Sequence, residues 1–343
     1  MPAQSTTDKL HIGLLGAGRI GRVHARTLAY HLPQAHLAAV ADICPKAAQQ
    51  VAAEFGIPAA YDDPRRILDD GAVDAVVICT STDTHAALIE AAAEAGKHIF
   101  CEKPIALDLQ DINRALAVVD EAGVKLQIGF NRRFDPNFQA VREAVASGRI
   151  GTPHILRITS RDPQPPPISY VRVSGGIFLD MSIHDFDMAR FLMGSEVVEV
   201  YAAGAVLVDP AIGEAGDVDT ALVTLRFANE ALGSIDNSRQ AAYGYDQRVE
   251  VLGSRGMIAV GNETPHRATL SDAQGTHKAL PLFFFVERYT AAYIAEMRAF
   301  VECILHDSAP SVTGRDGLIP VVMGYAALKS SREGRPVKLS EIA

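Results

Sequence analysis

The feature that most restricts the fold of this chain is a glycine-rich turn between an apolar run and a helical pattern. Residues 10–15 (LHIGLL) predict a buried strand, residues 19–30 predict a helix, and Gly16, Gly18 and Gly21 between and within them have the spacing GxGxxG. The first glycine allows a tight turn, the second lets the backbone approach a pyrophosphate, and the third lets helix and strand pack closely. The segment therefore predicts a dinucleotide-binding turn, with phosphates at the helix N-terminus.

An acidic residue stands where such a turn requires one. The next apolar run, residues 37–41, is followed by Asp42, about 20 residues after the last glycine. Its carboxylate would accept hydrogen bonds from the adenosine ribose and would repel a 2′-phosphate, and residues 43–45 contain no arginine to receive that phosphate. The pattern predicts NAD rather than NADP. The residues expected at the cofactor in this region are Gly16, Gly18, Arg19, Ile20, Gly21 and Asp42.

Strand and helix patterns alternate through the first third of the chain. Strands are predicted at residues 10–15, 37–41, 75–79, 98–101 and 125–128, and helices at 19–30, 45–55, 84–95 and 109–121. This alternation predicts a parallel sheet covered by helices, a Rossmann domain, for residues 1–125. Because such sheets bind ligands at the carboxyl ends of their strands, Thr80 and Thr82 are candidate cofactor contacts. A simple cap for the helix from residue 84 explains them equally well.

The pattern changes after residue 125. Helices are predicted at 137–147, 178–193, 287–306 and 317–331, and strands at 154–160, 197–208, 219–227, 232–237, 248–252 and 257–260. Turn residues separate the later strands, which favours antiparallel hairpins. Residues 126–343 are therefore predicted to form an α+β domain with a large, mainly antiparallel open sheet, in a chain of the α/β class. Oligomerisation is a common way to cover such a sheet.

Charge and composition argue against several classes of protein. The 343 residues have a formal charge of −9 and no basic run, so a nucleic-acid partner is not expected. The four cysteines lack CxxC spacing, and Cys79 and Cys101 lie in apolar runs, which predicts reduced core thiols. No cysteine or histidine cluster completes a zinc-like ligand set. The polar N-terminus does not predict a secretion signal, and no window reaches the ~18 apolar residues of a membrane span. We expect a cytoplasmic protein without a bound metal.

Two segments carry groups suited to the oxidation of an alcohol, which requires a base for the hydroxyl proton and a cation for the developing alkoxide. Lys103, in the sequence CEKP, directly follows the fifth predicted strand. Asp180 and His184 are four residues apart on a predicted helix, so the carboxylate could orient the imidazole. Taken singly, each has an ordinary alternative, namely a surface Lys-Pro turn or an ion pair on a helix.

The chain resembles the oxidoreductase family that includes glucose–fructose oxidoreductase and the inositol dehydrogenases. The resemblance covers nearly the whole length, from GLLGAGRIG through IFCEKPIALD, GFNRRFDPNF and GGIFLDMSIHDFDMARFLMG to NSRQAAYGYDQRVEV. These motifs are long, ordered and present in both predicted domains. Within the family, the chain is most similar to the bacterial inositol 2-dehydrogenases.

The resemblance implies NAD-dependent oxidation of myo-inositol to its 2-ketone, scyllo-inosose, in inositol catabolism. His184 would take the hydroxyl proton, Lys103 would bind and polarise that oxygen, and Asp180 would orient the pair, while a hydride passes to C4 of the nicotinamide. Glu102 would contact the cofactor beside Lys103. The residues implied at the substrate are Lys103, Arg133, Asp162, Asp180, His184 and Tyr245. The resemblance also implies a homotetramer assembled on the open sheet of the second domain.

Two alternatives stay open. In some inositol dehydrogenases His and Asn face the substrate where this chain has Ser160 and Asp162, so the substrate could be scyllo-inositol, another cyclitol or glucose. The second alternative is a non-catalytic dinucleotide-binding regulator on the same scaffold. The presence of Lys103, Asp180 and His184 together argues against it.

Overall fold

The computed structural model describes residues 9–342, which divide into two compact units. The first unit comprises the chain up to Asn131 together with Ala291–Leu318, and the second comprises Arg132–Thr290 together with the chain from Ile319. The sequence places a single boundary between residues 125 and 126, whereas the structure has the chain enter the second unit at Arg132 and return later to the first. Within residues 9–342, no helix combines the length and apolar character needed to span a membrane.

The first unit is built on a six-stranded parallel sheet. Its strands are β1 (Leu10–Leu15), β2 (Ala35–Ala41), β3 (Ala59–Tyr61), β4 (Ala75–Ile78), β5 (His98–Glu102) and β6 (Leu126–Gly129). They lie in the order β3-β2-β1-β4-β5-β6, and all neighbours pair in parallel. The five predicted strands are present. The edge strand β3 was not predicted because its three half-buried residues carry no period. The strand order reverses between β1 and β4, where sheets of this type bind ligands.

Helices follow the strands of this sheet as the sequence predicts. They are α1 (Arg19–His31), α2 (Pro45–Phe55), α3 (Arg65–Leu68), α4 (His85–Glu94) and α5 (Leu109–Ala122), with a 3₁₀ turn at Thr82–Thr84. Helix α5 begins where the Asp108 carboxylate accepts the N–H groups of Gln110 and Asp111, and it ends at Gly123 with φ +66°. Local capping chemistry therefore fixes these helix ends.

The second unit contains a seven-stranded sheet and a separate hairpin. Its strands are β7 (Pro153–Arg161), β8 (Val197–Ala205), β9 (Thr220–Phe227), β10 (Leu232–Ser238), β11 (Asp246–Gly253), β12 (Gly256–Val260), β13 (Thr269–Asp272), β14 (Gly275–Lys278) and β15 (Val337–Lys338). The large sheet has the order β12-β11-β7-β10-β9-β8-β15, and β13 pairs with β14. All its pairs are antiparallel except β7–β10, which is parallel. The predicted, mainly antiparallel sheet is confirmed and gains one parallel pair.

The remaining helices include counterparts of the four predicted ones, two of them interrupted, and two short helices that the sequence does not predict. They are α6 (Pro136–Ala146), α7 (Ile168–Val171), α8 (Ile177–Asp180), α9 (Ser182–Met193), α10 (Pro210–Glu214), α11 (Phe285–Arg288), α12 (Thr290–Leu305) and α13 (Gly314–Glu333), with 3₁₀ turns at Asn131–Phe134 and Leu339–Glu341. The single helix predicted at 178–193 is wrong in one respect, because it is interrupted at Met181. The helix predicted at 287–306 is likewise interrupted at Tyr289.

Part of α12 belongs to the core of the first unit. Met297, Phe300, Val301 and Cys303 lie in the same buried cluster as the residues of β1 and α1. The Gln127 side-chain amide donates to the backbone oxygen of Glu296 at 3.0 Å, and the Ile128 N–H donates to the oxygen of Val312 at 3.1 Å. The returning segment thus completes both the hydrophobic core and the hydrogen bonding of the β6 edge.

One face of the large sheet exposes a line of apolar side chains. Leu232, Ile155, Leu252 and Met257 are directly paired across β10, β7, β11 and β12. Their exposed fractions are 51%, 36%, 40% and 52%. We call these four residues the apolar row. Because the alternating residues Val251 and Ile158 are buried, the sheet is covered on one face and open on the other.

Candidate active site

The glycine turn has the form that a dinucleotide requires. Gly16 has φ +101°, and a Cβ placed on it would lie 2.5 Å from the backbone oxygen of Cys79. A Cβ on Gly21 would lie 2.0 Å from the oxygen of Gly16, whereas a Cβ on Gly18 would meet nothing within 4 Å. Gly16 and Gly21 are therefore required by the fold, and Gly18 leaves open space. No side chain caps α1, whose first residue, Arg19, is exposed, so its N–H groups can bind phosphate.

Asp42 is held beside this turn by the backbone. Its carboxylate accepts the N–H of Ala17 at 2.7 Å and the N–H of Cys44 at 2.8 Å. These bonds orient both carboxylate oxygens and leave lone pairs on each for a ribose diol. The next side chain, Ile43, is 95% exposed and offers an apolar surface next to Asp42. Ile20, the second residue of α1, is half-buried. This donor and acceptor set fits an NAD molecule.

The threonines after β4 form a small network of their own. Thr80 Oγ1 and Thr84 Oγ1 are 2.7 Å apart, and Thr84 Oγ1 also donates to the oxygen of Ser81 at 2.8 Å. Thr82 begins the 3₁₀ turn, and α4 has no side-chain cap. The cap interpretation is therefore wrong for α4. Cofactor binding by Thr80 and Thr82 stays a prediction.

The Glu-Lys-Pro segment is held by two buried histidines on either side of Lys103. Glu102, at the end of β5, is 2.7 Å from Nε2 of His24 on α1, and both side chains are buried. On the other side, His85 Nδ1 lies 2.8 Å from the oxygen of Pro104 and its Nε2 lies 3.1 Å from the oxygen of Thr80. Lys103 itself is half-buried. The strand end that carries Lys103 is therefore firmly positioned within the first unit.

Neither histidine was singled out by the sequence analysis. His85 is the first residue of α4, a place where a histidine works against the helix dipole, and that mismatch could have signalled a special role. His24, Glu102 and Glu296 also place one possible ligand atom each within 4.8 Å of one another. That cluster is the one group of three metal-ligand side chains found between residues 9 and 342.

In the second unit, Asp180 and His184 lie on either side of the break at Met181. Asp180 is the last residue of α8, and His184 lies in the first turn of α9. All residues of α9 are buried except His184 and Phe191. The helix presents His184 at one of its few accessible positions, which suits a proton acceptor. The expectation that both residues share one continuous helix is wrong, because the structure separates them by the break.

Asp180 accepts hydrogen bonds from residues in distant parts of the sequence. The Tyr170 hydroxyl donates to Asp180 Oδ1 at 2.8 Å. The buried Arg239 guanidinium donates from Nη1 to Asp180 Oδ2 at 3.2 Å. Partial burial and the negative charge of Asp180 raise the pKa of Tyr170, so its phenol stays a donor.

The two adjacent arginines of the sequence NRRFD point into different networks. Arg133 donates from Nε and Nη2 to both oxygens of Asp187, and both residues are buried. Arg132 donates to Asp185 at 2.6 Å and lies 3.4 Å from the hydroxyl of Tyr245. The structure thus joins Arg132, rather than Arg133, to Tyr245. A substrate contact by Arg133 stays a prediction.

The remaining predicted substrate residues lie at the end of β7 and before β11. Asp162 is anchored by its backbone, which donates to Ser238 and accepts from Ala241. Burial, reinforced by the charge of Asp180, raises the pKa of Asp162 to about 6. Burial also raises the pKa of Tyr245 well above its usual value, so that phenol is neutral. Ser160 is buried and donates to Gln247 at 3.1 Å.

Comparison with known proteins agrees with this architecture. The family described as "Oxidoreductase family, NAD-binding Rossmann fold" matches residues 10–130, and "GFO/IDH/MocA C-terminal domain" matches residues 138–259. The chain is 51% identical to myo-inositol 2-dehydrogenase of Thermotoga maritima, over 97% of this chain and 99% of that protein. It is 48% identical to inositol 2-dehydrogenase of Rhizobium meliloti, over 96% and 99% respectively.

A solved structure extends the comparison to a bound state. Scyllo-inositol dehydrogenase from Lactobacillus casei, with bound NAD(H) and scyllo-inositol, has a TM-score of 0.91 at 30% identity, covering 98% of this chain and 99% of that one. The fold described above is thus one that holds a nicotinamide cofactor and a cyclitol together in a related protein.

Proposed function

Because this chain belongs to the GFO/IDH/MocA family of NAD-binding oxidoreductases, we propose that it oxidises myo-inositol at C2 to the ketone scyllo-inosose. The observation that carries the proposal is the 51% identity to a myo-inositol 2-dehydrogenase over nearly the full length of both chains. The reaction is the NAD-dependent removal of a hydride and a proton from one secondary alcohol. We assign it to inositol catabolism.

The residues of the first unit supply cofactor binding and one positive charge. The turn at Gly16–Gly21 and Asp42 would hold NAD, with Thr80, Thr82 and Glu102 as further contacts. NAD, when bound, accepts the hydride at C4 of its nicotinamide ring. Lys103 would donate a hydrogen bond to the substrate oxygen and stabilise the developing alkoxide. The anchoring of its neighbours Glu102 and Pro104 supports this role, because a positioned cation needs little reorganisation during the reaction.

The residues of the second unit supply the base. His184 would take the hydroxyl proton through an imidazole nitrogen, since a histidine titrates near neutral pH. Asp180 would favour the imidazolium that results. Asp162, Tyr245 and Arg133 would bind the remaining hydroxyls of the ring, whose donors and acceptors match carboxyl, phenol and guanidinium groups.

A second candidate substrate is scyllo-inositol. The related Lactobacillus casei protein binds it, and this chain carries Ser160 and Asp162 where some inositol dehydrogenases have His and Asn. A panel of myo-inositol, scyllo-inositol and glucose, assayed for NADH production with NAD and with NADP, tests the proposal. We expect the highest kcat/KM for myo-inositol with NAD. A higher value for scyllo-inositol or glucose would replace the named substrate, and a higher value with NADP would refute the role of Asp42.

The catalytic assignment is tested by His184→Ala. A missing general base lowers kcat by about 10²–10⁴-fold. His277→Ala, on the exposed hairpin strand β14, is the matched control and should keep the wild-type rate. A near-normal kcat in His184→Ala would remove His184 from the mechanism.

We also propose a homotetramer, supported by the apolar row, because exposed apolar residues in register across four strands favour burial against another copy. Leu232→Lys together with Met257→Lys should reduce the molar mass in light scattering, whereas a mass unchanged from wild type would contradict the proposed interface.

Dependence on NAD and four free cysteines support a cytoplasmic location, where thiols stay reduced.

A further inference from the structure

A fully buried arginine in the second unit lies between two aspartates that bracket one short helix. Arg239 is 1% exposed and directly follows β10. Its Nη1 donates to Asp180 Oδ2 at 3.2 Å, and its Nη2 donates to Asp217 Oδ2 at 3.4 Å. Asp180 is the last residue of α8, and Asp217 faces the first residue of the same helix. Arg239 therefore connects both ends of α8.

Asp217 is held in place by the backbone at the start of α8. The N–H of Ile177, the first residue of α8, donates to Asp217 Oδ1 at 3.0 Å. A Cβ on the preceding Gly176 would lie 2.7 Å from that same oxygen, and Gly176 has φ +83°. Asp217 thus has a fixed position, and the guanidinium that bonds to it has a fixed position as well.

The Asp180 end is held on both carboxylate oxygens. Arg239 bonds to Oδ2, and the Tyr170 hydroxyl donates to Oδ1 at 2.8 Å. Tyr170 belongs to α7, which directly follows Pro165–Pro167. Two groups from separate elements therefore restrain the rotation of one carboxylate.

The charge of Arg239 also offsets the negative charges around Asp162. Asp162 interacts with Asp180 and Asp185, which raise its pKa in addition to burial, and with Arg239 and Arg132, which lower it. The neutral phenols of Tyr170 and Tyr245 also interact with Asp162. Loss of the Arg239 charge would therefore raise the pKa of Asp162 further.

We propose that Arg239 and Tyr170 are positioning residues that hold the Asp180 carboxylate in a single orientation for catalysis. This inference rests on the proposed role of Asp180. Neither residue is assigned to contact substrate or cofactor. Their effect on the rate is therefore exerted through the orientation of Asp180. Arg239 also lowers the pKa of Asp162, so its loss should in addition be visible in the pH dependence of the reaction.

The test compares Arg239→Met, Arg239→Lys and Tyr170→Phe by pH profiles of kcat/KM with myo-inositol. Arg239→Met should move the acidic limb of kcat/KM to higher pH by about one unit, because loss of this charge raises the pKa of Asp162. A nearby opposite charge shifts the pKa of a carboxyl by about 1–3 units. Arg239→Lys keeps the charge and should leave the limb near its wild-type position. Tyr170→Phe should lower kcat about 10-fold, the effect of one hydrogen bond to a charged group.

The control is Arg288→Met, a buried arginine paired with Asp135 in the same unit. It should lower Tm without moving the acidic limb. If Arg239→Met and Arg288→Met give the same limb as wild type, the inference is wrong while the proposed function stands.

Thermal unfolding, which requires no turnover, distinguishes a failure of this inference from a failure of the proposed function. Loss of the Arg239 charge raises the pKa of Asp162 further, so ionising Asp162 costs the folded state more as pH rises. The Tm difference between Arg239→Lys and Arg239→Met should therefore grow from about pH 5 to about pH 8. If wild type oxidises no cyclitol, the proposed function fails, and a constant Tm difference would overturn the charge balance independently.

Discussion

Two glycines of the dinucleotide turn should respond in opposite ways to alanine. At Gly21 the added Cβ would lie 2.0 Å from the Gly16 oxygen and 3.0 Å from its carbonyl carbon. A carbon and an oxygen need more than 3 Å, so the start of α1 must move by about 1 Å, and overpacking of this kind costs about 1–3 kcal/mol. For a unit of this size, that loss lowers Tm by about 2–12 °C.

Gly18 has no such constraint in the fold. Nothing lies within 4 Å of its added Cβ, and its φ of −73° suits alanine. Gly18→Ala should therefore keep Tm close to wild type, within about 0.5 kcal/mol of stability. The methyl group would instead occupy the space through which the backbone meets the pyrophosphate. The KM for NAD should rise at least about 10-fold, which corresponds to about 1.4 kcal/mol of binding.

The assay measures both quantities on the same preparations. Thermal unfolding without NAD gives Tm, and titration with NAD under saturating inositol gives KM. Gly71→Ala, where the added Cβ also has no neighbour, serves as the control and should change neither value. The separate roles of the two glycines are refuted if Gly18→Ala destabilises the chain as much as Gly21→Ala does. They are also refuted if the KM of Gly18→Ala for NAD equals the wild-type value.

Three further substitutions test single contacts. Because the pKa of Asp162 is raised to about 6, its ionisation costs the folded state up to about 3 kcal/mol above pH 6 and nothing below about pH 4. Asp162→Asn should therefore raise Tm relative to wild type at pH 8 but not at pH 4. Equal effects at the two pH values would contradict the raised pKa. His85→Leu removes the side chain that contacts the backbone oxygens of Pro104 and Thr80, which should cost about 1–3 kcal/mol of stability. It should also lower kcat by loosening the position of Lys103. An unchanged kcat would show that His85 does not position Lys103. Arg133→Ala removes the guanidinium that bonds to both oxygens of the buried Asp187 and should cost about 3–5 kcal/mol in thermal unfolding. A raised KM at constant Tm would show a substrate contact instead.

The parts of the site that the sequence predicts are those whose chemistry is local. The glycine spacing and Asp42 specify one turn and one carboxylate, and the structure places that carboxylate within hydrogen-bond distance of the turn at Ala17. The parallel sheet follows from alternating patterns in the same way. The antiparallel pairs of the second sheet also follow, because each is set by turns and by a period of two.

The parts that could not be predicted depend on contacts between distant residues. Arg239 and Asp180 are 59 positions apart, and no spacing in the sequence connects them. The neighbouring residues Arg132 and Arg133 have the same side chain, so only their directions in a 3₁₀ turn decide which one reaches Tyr245. The parallel pair β7–β10 likewise requires a long connection whose path carries no local signal.

The return of residues 291–318 to the first unit has a consequence for synthesis. A ribosome makes the glycine turn and all six strands of the first sheet early. The Met297–Cys303 part of the core appears only after the whole central portion of the second unit. Domains tend to fold as they emerge, yet this one lacks part of its core until residue 318 has been made. We expect a fragment ending at Asn131 to expose apolar surface and aggregate. An exchange of cofactor domains between relatives must therefore transfer both segments.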